Sequence, residues 1–368
     1  MGSDWPVRVQ SMTNTSTDDV ASSAAQCQRI AYAGAEYVRL TAQGVAQANS
    51  IGQISKVLRA NDCNIPLIAD IHFNRHAALA AAAVCEGVRI NPGNFADPAR
   101  TFKQLEYSDE EYQAELGRIR EALLPFIAVC REHHTAVRLG VNHGSLSDRI
   151  MSRFGNTAAG MVESVMEFLR VFVAEGFMNV VISMKASNVK VMVESTRLFV
   201  KKMHEAGMDY PIHLGVTEAG DGMQGRLKSA AGIGALLIDG IGDTIRVSLT
   251  EDPVEEMPVA YDILQAVGAR ITQCEYIACP SCGRTQYDIQ KALKEIKAKT
   301  GHLVGVKIGV MGCIVNGPGE MADADYGYVG SGAGKITLYK GKEVVKRDID
   351  QKDAVEELVK LIENDSRL

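Results

Sequence analysis

The stretch that decides the fold is Pro66-Leu-Ile-Ala-Asp-Ile-His-Phe-Asn-Arg-His-Ala-Ala-Leu-Ala-Ala-Ala-Ala-Val-Cys-Glu-Gly-Val-Arg-Ile-Asn91. A short apolar run is followed by a helix-like segment and then by a second apolar run, which predicts a parallel β-α-β unit. The same alternation recurs through the first 250 residues, with apolar runs at 7–12, 36–40, 66–70, 87–91, 136–141, 179–184, 211–216 and 243–248. Eight such units predict an α/β protein with a closed (β/α)8 TIM barrel.

Polar and charged side chains stand at the ends of these runs. In chain order they are Gln10, Arg39, Thr41, Asp70, His72, Arg89, Asn91, Arg138, Asn142, Lys185, Glu218, Arg246 and Ser248. Because the active sites of such barrels lie at the carboxyl ends of the strands, the five cations among them should converge on one mouth. A single arginine is more often part of a surface ion pair, so the argument depends on all five together. Crowded cations need a polyanion, and guanidinium groups match phosphate oxygens, which predicts a small diphosphate-like substrate.

The composition limits the partners of the chain. Its 368 residues carry a formal net charge of −6, so the cations would form a local pocket and not a nucleic-acid surface. The hydrophobic fraction of 46% suffices for a barrel and a second small domain. No run approaches a membrane span, no signal-peptide pattern is present, and eight irregularly spaced cysteines indicate a reducing, cytoplasmic location.

Three cysteines and a glutamate near the C-terminus form a second candidate site. Cys279-Pro-Ser-Cys282 is followed by Gly312-Cys-Ile-Val-Asn-Gly-Pro-Gly-Glu320, so three thiolates and one carboxylate could share a metal centre. A C-x2-C pair also occurs in zinc ribbons and in thioredoxin-like motifs, and Cys274 adds the alternative of a four-thiolate set. Cys274 lies in a strand-like segment, where a buried free thiol is common. From these residues alone, an iron-sulfur cluster, structural zinc and a redox dithiol all stay open.

The barrel pattern ends near residue 268, which predicts a substrate-binding barrel over 1–267 and a small α+β domain over 268–368. In the second domain we expect a strand around Cys274, a helix over about 286–299, a strand over 304–311, a hairpin turning at 340–342 and a last helix capped by Asp350. The longest interruption of the barrel pattern begins like a capped helix, with Ser108 as N-cap and Glu111 at the third helical position.

Eight motifs spread over both domains resemble one enzyme family. They are Val9-Gln-Ser-Met-Thr-Asn14, Ala69-Asp-Ile-His-Phe73, Arg89-Ile-Asn-Pro-Gly-Asn94, Gly140-Val-Asn142, Thr217-Glu-Ala-Gly220, Gly242-Asp-Thr-Ile-Arg-Val-Ser248, Ala278-Cys-Pro-Ser-Cys282 and Gly312-Cys-Ile-Val-Asn-Gly-Pro-Gly-Glu320. On these residues the chain resembles the 4-hydroxy-3-methylbut-2-enyl diphosphate synthases of the methylerythritol phosphate pathway. The resemblance implies an iron-sulfur oxidoreductase of isoprenoid biosynthesis. Its reaction would be the reductive ring opening and dehydration of 2-C-methyl-D-erythritol 2,4-cyclodiphosphate to 4-hydroxy-3-methylbut-2-enyl diphosphate.

The same resemblance implies the cofactor and the partners. It implies a 4Fe-4S cluster held by Cys279, Cys282, Cys313 and Glu320, in a domain folded like the cluster module of nitrite and sulfite reductases, and so argues against Cys274 as a ligand. It further implies ferredoxin or flavodoxin as electron donor, and a homodimer in which the cluster domain of one subunit lies over the barrel of the other.

Roles for individual residues follow from the resemblance as well. Substrate binding is implied for Arg39, Arg89, Asn91, Arg138, Asn142, Lys185, Arg246, Ser248 and Asn316. Glu218 is expected to act as a catalytic acid or base, although a helix-capping or ion-paired carboxylate would look the same. Glu320, Asp70 and His72 are further catalytic candidates. A core histidine is the alternative for His72, and a group that orients an arginine is the alternative for either Asp70 or His72.

One departure and two rival functions remain at this stage. The longer, plant-type and Bacteroidetes-type members of the family insert a domain between barrel and cluster module, and its absence here predicts a short linker at 266–270. A non-catalytic phosphate-binding barrel with a structural zinc module would use the same cations and thiolates without Glu320. An aldolase-type barrel with Lys185 as Schiff-base nucleophile is a second enzyme reading.

Overall fold

The computed structural model describes residues 2, 4–97, 101, 103 and 106–365. The chain forms two compact units, Met1–Arg270 and Ile271–Leu368, where the sequence predicts a boundary between 267 and 268. None of the helices in the described ranges is long and apolar enough to cross a membrane. Each unit has its own sheet and its own hydrophobic core.

The first unit contains a parallel eight-stranded barrel. Its strands are β1 (Arg8–Met12), β2 (Tyr37–Ala42), β3 (Leu67–Ile71), β4 (Gly87–Ile90), β5 (Ala136–Asn142), β6 (Val180–Lys185), β7 (His213–Leu214) and β8 (Thr244–Ile245). They pair in the order β6-β5-β4-β3-β2-β1-β8-β7, and a bridge between Ile182 and Ile212 closes the ring. Each predicted apolar run overlaps one of these strands, which confirms the predicted TIM barrel.

Helices follow the strands and cover the outside of the barrel. They are α1 (Val20–Tyr32), α2 (Val45–Ala60), α3 (Arg75–Ala82), α4 (Pro92–Phe95), α5 (Asp109–Glu132), α6 (Asp148–Phe154), α7 (Ala158–Ala174), α8 (Val189–Glu205), α9 (Gly222–Ile238) and α10 (Glu256–Ala266). The capping box predicted for α5 is present. Ser108 Oγ accepts from the Glu111 N–H at 3.2 Å, and the Glu111 carboxylate accepts from the Ser108 N–H at 2.8 Å.

Alternation along the strands separates the hydrophobic core from the interior of the barrel mouth. In β2, Val38 and Leu40 are fully buried among the apolar residues that face the helices, whereas Arg39 between them lines the mouth. β7 and β8 are shorter than the predicted runs. Just before β7, the N–H of Ile212 donates to the carboxylate of Asp243 at 2.8 Å and not to a backbone carbonyl of a neighbouring strand.

The second unit is a mixed five-stranded sheet with helices. Its elements are β9 (Glu275–Ala278), α11 (Ile289–Thr300), β10 (Lys307–Met311), α12 (Gly317–Glu320), β11 (Tyr326–Gly332), β12 (Lys335–Lys340), β13 (Glu343–Asp350) and α13 (Gln351–Glu363). The strand order is β13-β12-β11-β10-β9, with β9 to β11 parallel and the last two pairs antiparallel. This bears out the predicted α+β module. The likeness to the cluster module of nitrite and sulfite reductases stays a prediction.

Two details of this unit differ from the sequence prediction. β11 was not predicted, because its sequence Tyr326-Gly-Tyr-Val-Gly-Ser-Gly332 is rich in glycine, which is depleted in strands. Asp350 stands at the N-cap of α13, but its carboxylate accepts from Lys335 Nζ at 3.2 Å and makes no capping bond to the helix. The hairpin turn lies at the predicted place, with Gly341 at φ +56°.

Candidate active site

The carboxyl ends of the barrel strands surround a polar cavity of about 90 Å³. Its lining consists of Arg39, Asp70, His72, Arg89, Arg138, Asn142, Ser183, Lys185, Thr217, Arg246 and Ser248. We call this set the barrel mouth. The structure brings together all five cations that the sequence places at strand ends, on or directly after five different strands. It adds Ser183 and Thr217, which the sequence did not single out.

Two of the cations share the carboxylate of Asp70. Arg89 Nη1 donates to Asp70 Oδ1 at 2.9 Å, and Arg39 Nε lies 3.7 Å from Oδ2. Burial acts to raise the pKa of Asp70, but the two guanidinium groups outweigh it and hold that pKa well below its usual range. Asp70 therefore stays ionised and neutralises only part of the local positive charge.

A second carboxylate, which the sequence did not reveal, comes from the start of α10. Glu256 is buried, contacts Arg246 Nη2 at 3.1 Å and accepts from Ser11 Oγ at 2.7 Å. A signal for it exists in the sequence. Glu256 occupies the same helical stripe as the buried Ala260, Ile263 and Leu264, where a charged residue needs a partner.

The remaining two cations make no ion pair with a carboxylate in the described part of the chain. Arg138 is 4% exposed and donates through Nη1 to Gln10 Oε1 at 2.5 Å, while its Nε has no partner among the described residues. Burial lowers the pKa of Arg138 to about 9, with help from Arg39 and Arg89. Burial together with Arg39 and its neighbours lowers the pKa of Lys185 well below the usual lysine value. The free barrel mouth is thus short of negative charge.

Two glycines make room for two of these cations. A Cβ on Gly140 would lie 2.6 Å from Arg89 Nε, and a Cβ on Gly215 would lie 2.9 Å from Lys185 Nζ and 2.7 Å from the Arg246 carbonyl oxygen. Both glycines sit on or next to barrel strands, so the backbone cannot move aside cheaply. Their role is to let side chains from neighbouring strands cross the mouth.

Below the mouth lies a histidine that the sequence analysis missed. His213 on β7 is fully buried, and its Nδ1 lies 3.4 Å from Thr244 Oγ1 on β8. Burial, followed by the charges of Arg138 and Lys185, lowers the pKa of His213 well below the usual value, so the imidazole is neutral. The sequence contains a signal for this residue, because His213 is a polar residue within the apolar run 211–216.

Two predicted site residues do not line the mouth. Glu218 is exposed in the loop between β7 and α9, with its backbone in the left-handed region at φ +54°. Only its neighbour Thr217 lines the cavity. Asn91 is buried at the N-terminus of α4, where Oδ1 accepts from the Gly93 N–H at 3.0 Å and Nδ2 donates to Ser145 Oγ at 2.8 Å. Asn91 supports the loop after β4 in this structure.

The second unit has a cavity of about 310 Å³ between two loops. Its lining is Ile277, Ala278, Cys279, Pro280, Ser281, Cys282, Arg284, Met311, Gly312, Cys313, Asn316, Gly317 and Glu320. We call it the cysteine cavity. It contains all four ligands predicted for a cluster and also Asn316, which was predicted to contact substrate from this side.

One hydrogen bond joins the two loops that form the cysteine cavity, and a second stabilises the first loop. The Gln286 N–H donates to the Gly312 carbonyl oxygen at 3.0 Å, and Thr285 Oγ1 accepts from the Cys282 N–H at 3.1 Å. A Cβ on Gly312 would lie 2.7 Å from Thr285 Oγ1, so glycine is needed for this approach. The loops therefore present Cys282 and Cys313 from opposite sides of one opening.

The donor set of the cysteine cavity is three thiols and one carboxylate, which are groups that bind iron or zinc. In the described part of the chain, no three His, Cys, Asp or Glu side chains come close enough to hold one metal ion. A tetrahedral zinc site holds its sulfurs at about 2.3 Å from one centre, closer together than the described side chains lie here. In a cubane cluster each ligand binds a different iron, so thiolates around a roomier space are the expected arrangement.

Two of the cysteines contrast sharply in their surroundings. The N–H of Val315, the N–H of Asn316 and the side chain of Arg284 lower the pKa of Cys313, which favours the thiolate that binds metal. Cys274 is 3% exposed in the hydrophobic core of the unit and does not line the cavity. Burial raises its pKa. This geometry supports the set with Glu320 over the four-thiolate alternative.

Comparison with known proteins identifies the family. A model of the GcpE TIM-barrel domain matches residues 1–261, and a model of the GcpE protein C-terminal domain matches residues 275–364. The chain belongs to the GcpE family. Relatives in this family carry the name 4-hydroxy-3-methylbut-2-en-1-yl diphosphate synthase, which confirms the family predicted from the eight sequence motifs.

Two relatives of this GcpE chain differ in length and in the donor that their names state. A ferredoxin form from Synechocystis sp. is 52% identical over 369 residues, covering 100% of this chain and 91% of the relative. A flavodoxin form from Bacteroides thetaiotaomicron is 38% identical over 589 residues, covering 100% of this chain and 96% of the relative. The alignment with the Bacteroides relative runs over 589 residues although this chain has 368, so that relative carries extra sequence. The alignment with the Synechocystis relative runs over 369 residues and contains no such addition.

Proposed function

We propose that this protein reduces 2-C-methyl-D-erythritol 2,4-cyclodiphosphate to 4-hydroxy-3-methylbut-2-enyl diphosphate, the function that its family membership supports. The reaction consumes two electrons and two protons, opens the cyclic diphosphate at a carbon-oxygen bond and releases one water. The observation that carries the proposal is the barrel mouth, whose five cations pair, among the described residues, with the carboxylates of Asp70 and the adjacent Glu256 alone. A diphosphate supplies the missing negative charge.

The residues of the barrel mouth then have separable tasks. Arg138 and Lys185, which have no carboxylate partner in the described structure, are the groups best placed to bind the diphosphate. Arg39, Arg89 and Arg246 add charge while Asp70 and Glu256 orient their planes. Asn142 and Ser248 offer neutral hydrogen bonds to phosphate oxygens. Asn91 acts on this site through the loop that it supports.

The cysteine cavity supplies the electrons in this proposal. We propose that Cys279, Cys282, Cys313 and Glu320 hold a 4Fe-4S cluster, which would deliver electrons one at a time and act as a Lewis acid toward a substrate oxygen. Glu320 would be the more easily displaced ligand of such a cluster, because a carboxylate binds iron less tightly than a thiolate does. Asn316 lines the same opening and can donate a hydrogen bond to the substrate.

Protons must reach the departing oxygen from side chains of the protein. Glu218 stays a candidate acid: its exposed position and left-handed backbone mark a loop conformation under strain, as found at functional sites. Asp70 is held ionised and His72 has its pKa lowered by burial and by Arg89, so both are suited to orient Arg89 in the free protein. Glu218 is the member of this group with free access to solvent protons.

A ferredoxin or a flavodoxin is the proposed electron donor, as the names of the relatives indicate for those proteins. A cytoplasmic location agrees with eight free cysteines in the structure. The non-catalytic zinc barrel has no support from the family. The lowered pKa of Lys185 would suit a Schiff-base nucleophile, but the relatives are named as diphosphate synthases and not as aldolases. We retain a homodimer as the proposed assembly.

The decisive experiment is anaerobic purification followed by a single-turnover assay. We expect a brown protein with four irons and four sulfides per chain, which converts the cyclodiphosphate to the linear product when a chemical reductant is added. Mass spectrometry identifies the product. A colourless protein that binds one zinc per chain, or an iron-loaded protein that leaves the cyclodiphosphate intact, would contradict the proposal.

The assembly is tested by mixing two inactive variants. Glu218→Ala and Cys313→Ala chains, each inactive alone, should regain about one quarter of the wild-type rate after subunit exchange, if each active site uses both subunits of a randomly paired dimer. Exchange is verified by mass spectrometry of differently labelled chains. No recovered activity after verified exchange would show that each chain builds its own site.

A further inference from the structure

His72 stands at the edge of the barrel mouth, with partners on both ring nitrogens. It follows β3 directly, and about a third of its side chain, 36%, is exposed. Its Nε2 lies 2.6 Å from Arg89 Nη1, and its Nδ1 lies 3.0 Å from Asn94 Nδ2. The two partners together decide which ring nitrogen carries the proton.

Arg89 fixes the role of Nε2. A guanidinium group has only donors, so Nε2 must accept this hydrogen bond with its lone pair. The other terminal hydrogens of Arg89 are also engaged, with Asp70 Oδ1 at 2.9 Å, the Gly140 carbonyl oxygen at 2.7 Å and Asn142 Oδ1 at 3.4 Å. Arg89 therefore cannot turn away from His72 without losing other bonds. While this bond to Arg89 is made, the imidazole proton lies on Nδ1, and the loss of an acceptor for Nδ1–H would favour the other tautomer and break the bond.

A proton on Nδ1 needs an acceptor, and the only adjacent partner among the described residues is Asn94. With Nδ2 facing the ring, two donors oppose each other, while Asn94 Oδ1 is buried and has no partner in the described structure. Turning the amide by half a rotation exchanges oxygen and nitrogen, which occupy nearly the same space. Oδ1 then accepts from Nδ1–H.

We propose that Asn94 is a positioning residue that holds His72 as the neutral Nδ1–H tautomer, so that Nε2 accepts from Arg89 at the barrel mouth. This deepens the proposed function, on which it depends, because Nε2 of this tautomer is one of the acceptors that hold Arg89 at the barrel mouth. Asn94 lies on α4 and is 6% exposed, so its amide cannot be replaced by solvent. No sequence motif separated it from the neighbouring Asn91.

The charges around His72 agree with a neutral ring. Arg89 on β4 and Arg39 on β2 oppose a proton, whereas Asp70 on β3, 3.8 Å from Nε2, favours one. Asn94 on α4 is uncharged. Burial and Arg89 together lower the pKa of His72, so the neutral form dominates at neutral pH.

The tautomer can be read directly by nitrogen NMR on full-length, cluster-loaded protein with ¹⁵N-labelled histidine. We expect the Nδ1 signal of His72 in the protonated range and the Nε2 signal in the unprotonated, hydrogen-bonded range, with His76 as an internal reference. Assignment uses the His72→Gln variant. The reverse pattern, or an imidazolium at neutral pH, would overturn the proposal.

Two variants separate positioning from packing. Asn94→Leu has a similar volume without an acceptor, and we expect a mixture of tautomers and a loss of pyrophosphate affinity of about threefold to tenfold, the effect of one neutral hydrogen bond. Asn94→Asp keeps the acceptor, so the Nδ1 signal should stay protonated and the titration midpoint of His72 should rise. The matched control Asn61→Leu, at an exposed asparagine, should change neither signal.

The outcomes distinguish this inference from the proposed function. If Asn94→Leu keeps the wild-type tautomer of His72, Asn94 does not hold that tautomer, and this conclusion is independent of the reaction that the enzyme catalyses. If wild-type protein fails to bind pyrophosphate, the barrel mouth is not a diphosphate site, although the tautomer of the free protein can still be measured. An Asn94→Asp variant in which His72 loses the Nδ1 proton would also contradict the proposed role of Asn94.

Discussion

The barrel mouth and the cysteine cavity are suited to bind different kinds of group and are built from different parts of the fold. The mouth is assembled from strand ends that are hydrogen-bonded on both sides, and its cations are buried without enough counter-charge. The cysteine cavity is assembled from two loops, and its thiols are partly exposed. A rigid frame can hold like charges together until a ligand arrives, whereas loops can adapt to a group that is inserted after folding. The comparison predicts opposite responses to mutation.

The largest effect is expected in the cysteine cavity. Cys279→Ala, Cys282→Ala and Cys313→Ala should each lose the cluster and all activity, because no other side chain in the lining can replace a thiolate. Cys274→Ser is the matched control and should keep its full iron content. Iron and sulfide analysis decides. A Cys274→Ser protein without iron would restore the four-thiolate alternative.

In the barrel mouth, function and stability should separate. Arg138→Met removes a buried cation with no ion pair, so it should raise the free energy of unfolding by about 1 kcal/mol. It should weaken pyrophosphate binding by about one to three orders of magnitude, the loss of a charge-assisted bond. Denaturant titration and calorimetry measure the two effects. The exposed Arg118→Met serves as control, and a destabilised Arg138→Met protein would show that the charge of Arg138 stabilises the folded protein.

A smaller effect is expected from a single methyl group beside the cations. Gly215→Ala puts a Cβ 2.9 Å from Lys185 Nζ and should reduce pyrophosphate affinity about ten- to a hundredfold by displacing the ammonium group. Gly117→Ala, where a Cβ meets no atom within 4 Å, is the control and should leave affinity unchanged. Equal affinities for Gly215→Ala and wild type would show that Lys185 can bind from another position.

The smallest effect is a pH dependence that only the barrel mouth should show. Burial and the neighbouring arginines depress the pKa of Lys185 in the free protein, and a bound anion raises it again. Binding then takes up a proton, so affinity should fall as the pH rises between the two pKa values, by up to about tenfold per pH unit. Calorimetry in buffers of different ionisation enthalpy counts the proton. The Lys185→Met variant should lose the part of this dependence that comes from Lys185 and keep the part above about pH 9 that comes from Arg138. A slope that is unchanged at lower pH would assign the dependence to another group.

The barrel was predictable because its signal is local and repeated. Each strand is a short apolar run, and the cation that interrupts such a run, as Arg39 does, or ends it, as Lys185 does, lies at the mouth. Glu256 was not predictable in the same way, since its partner Ser11 lies 245 residues away along the chain. Asn91 and Glu218 show the limit of strand-end reasoning. The side chain of Asn91 hydrogen-bonds to its own loop, and the side chain of Glu218 is exposed to solvent. The conformation of the loop after each strand determines both positions.

The closure of the barrel has a consequence for what a ligand does to the protein. β5 and β6 pair over six residues, whereas β6 meets the segment before β7 through the single bridge from Ile182 to Ile212. Lys185 and Arg246 project from opposite sides of this seam. A diphosphate that binds both side chains would connect the two sides of the pairing with the fewest paired residues in the barrel. Amide protons along β7 should then exchange with solvent more slowly when the anion is bound, and the substrate becomes part of what keeps the barrel closed.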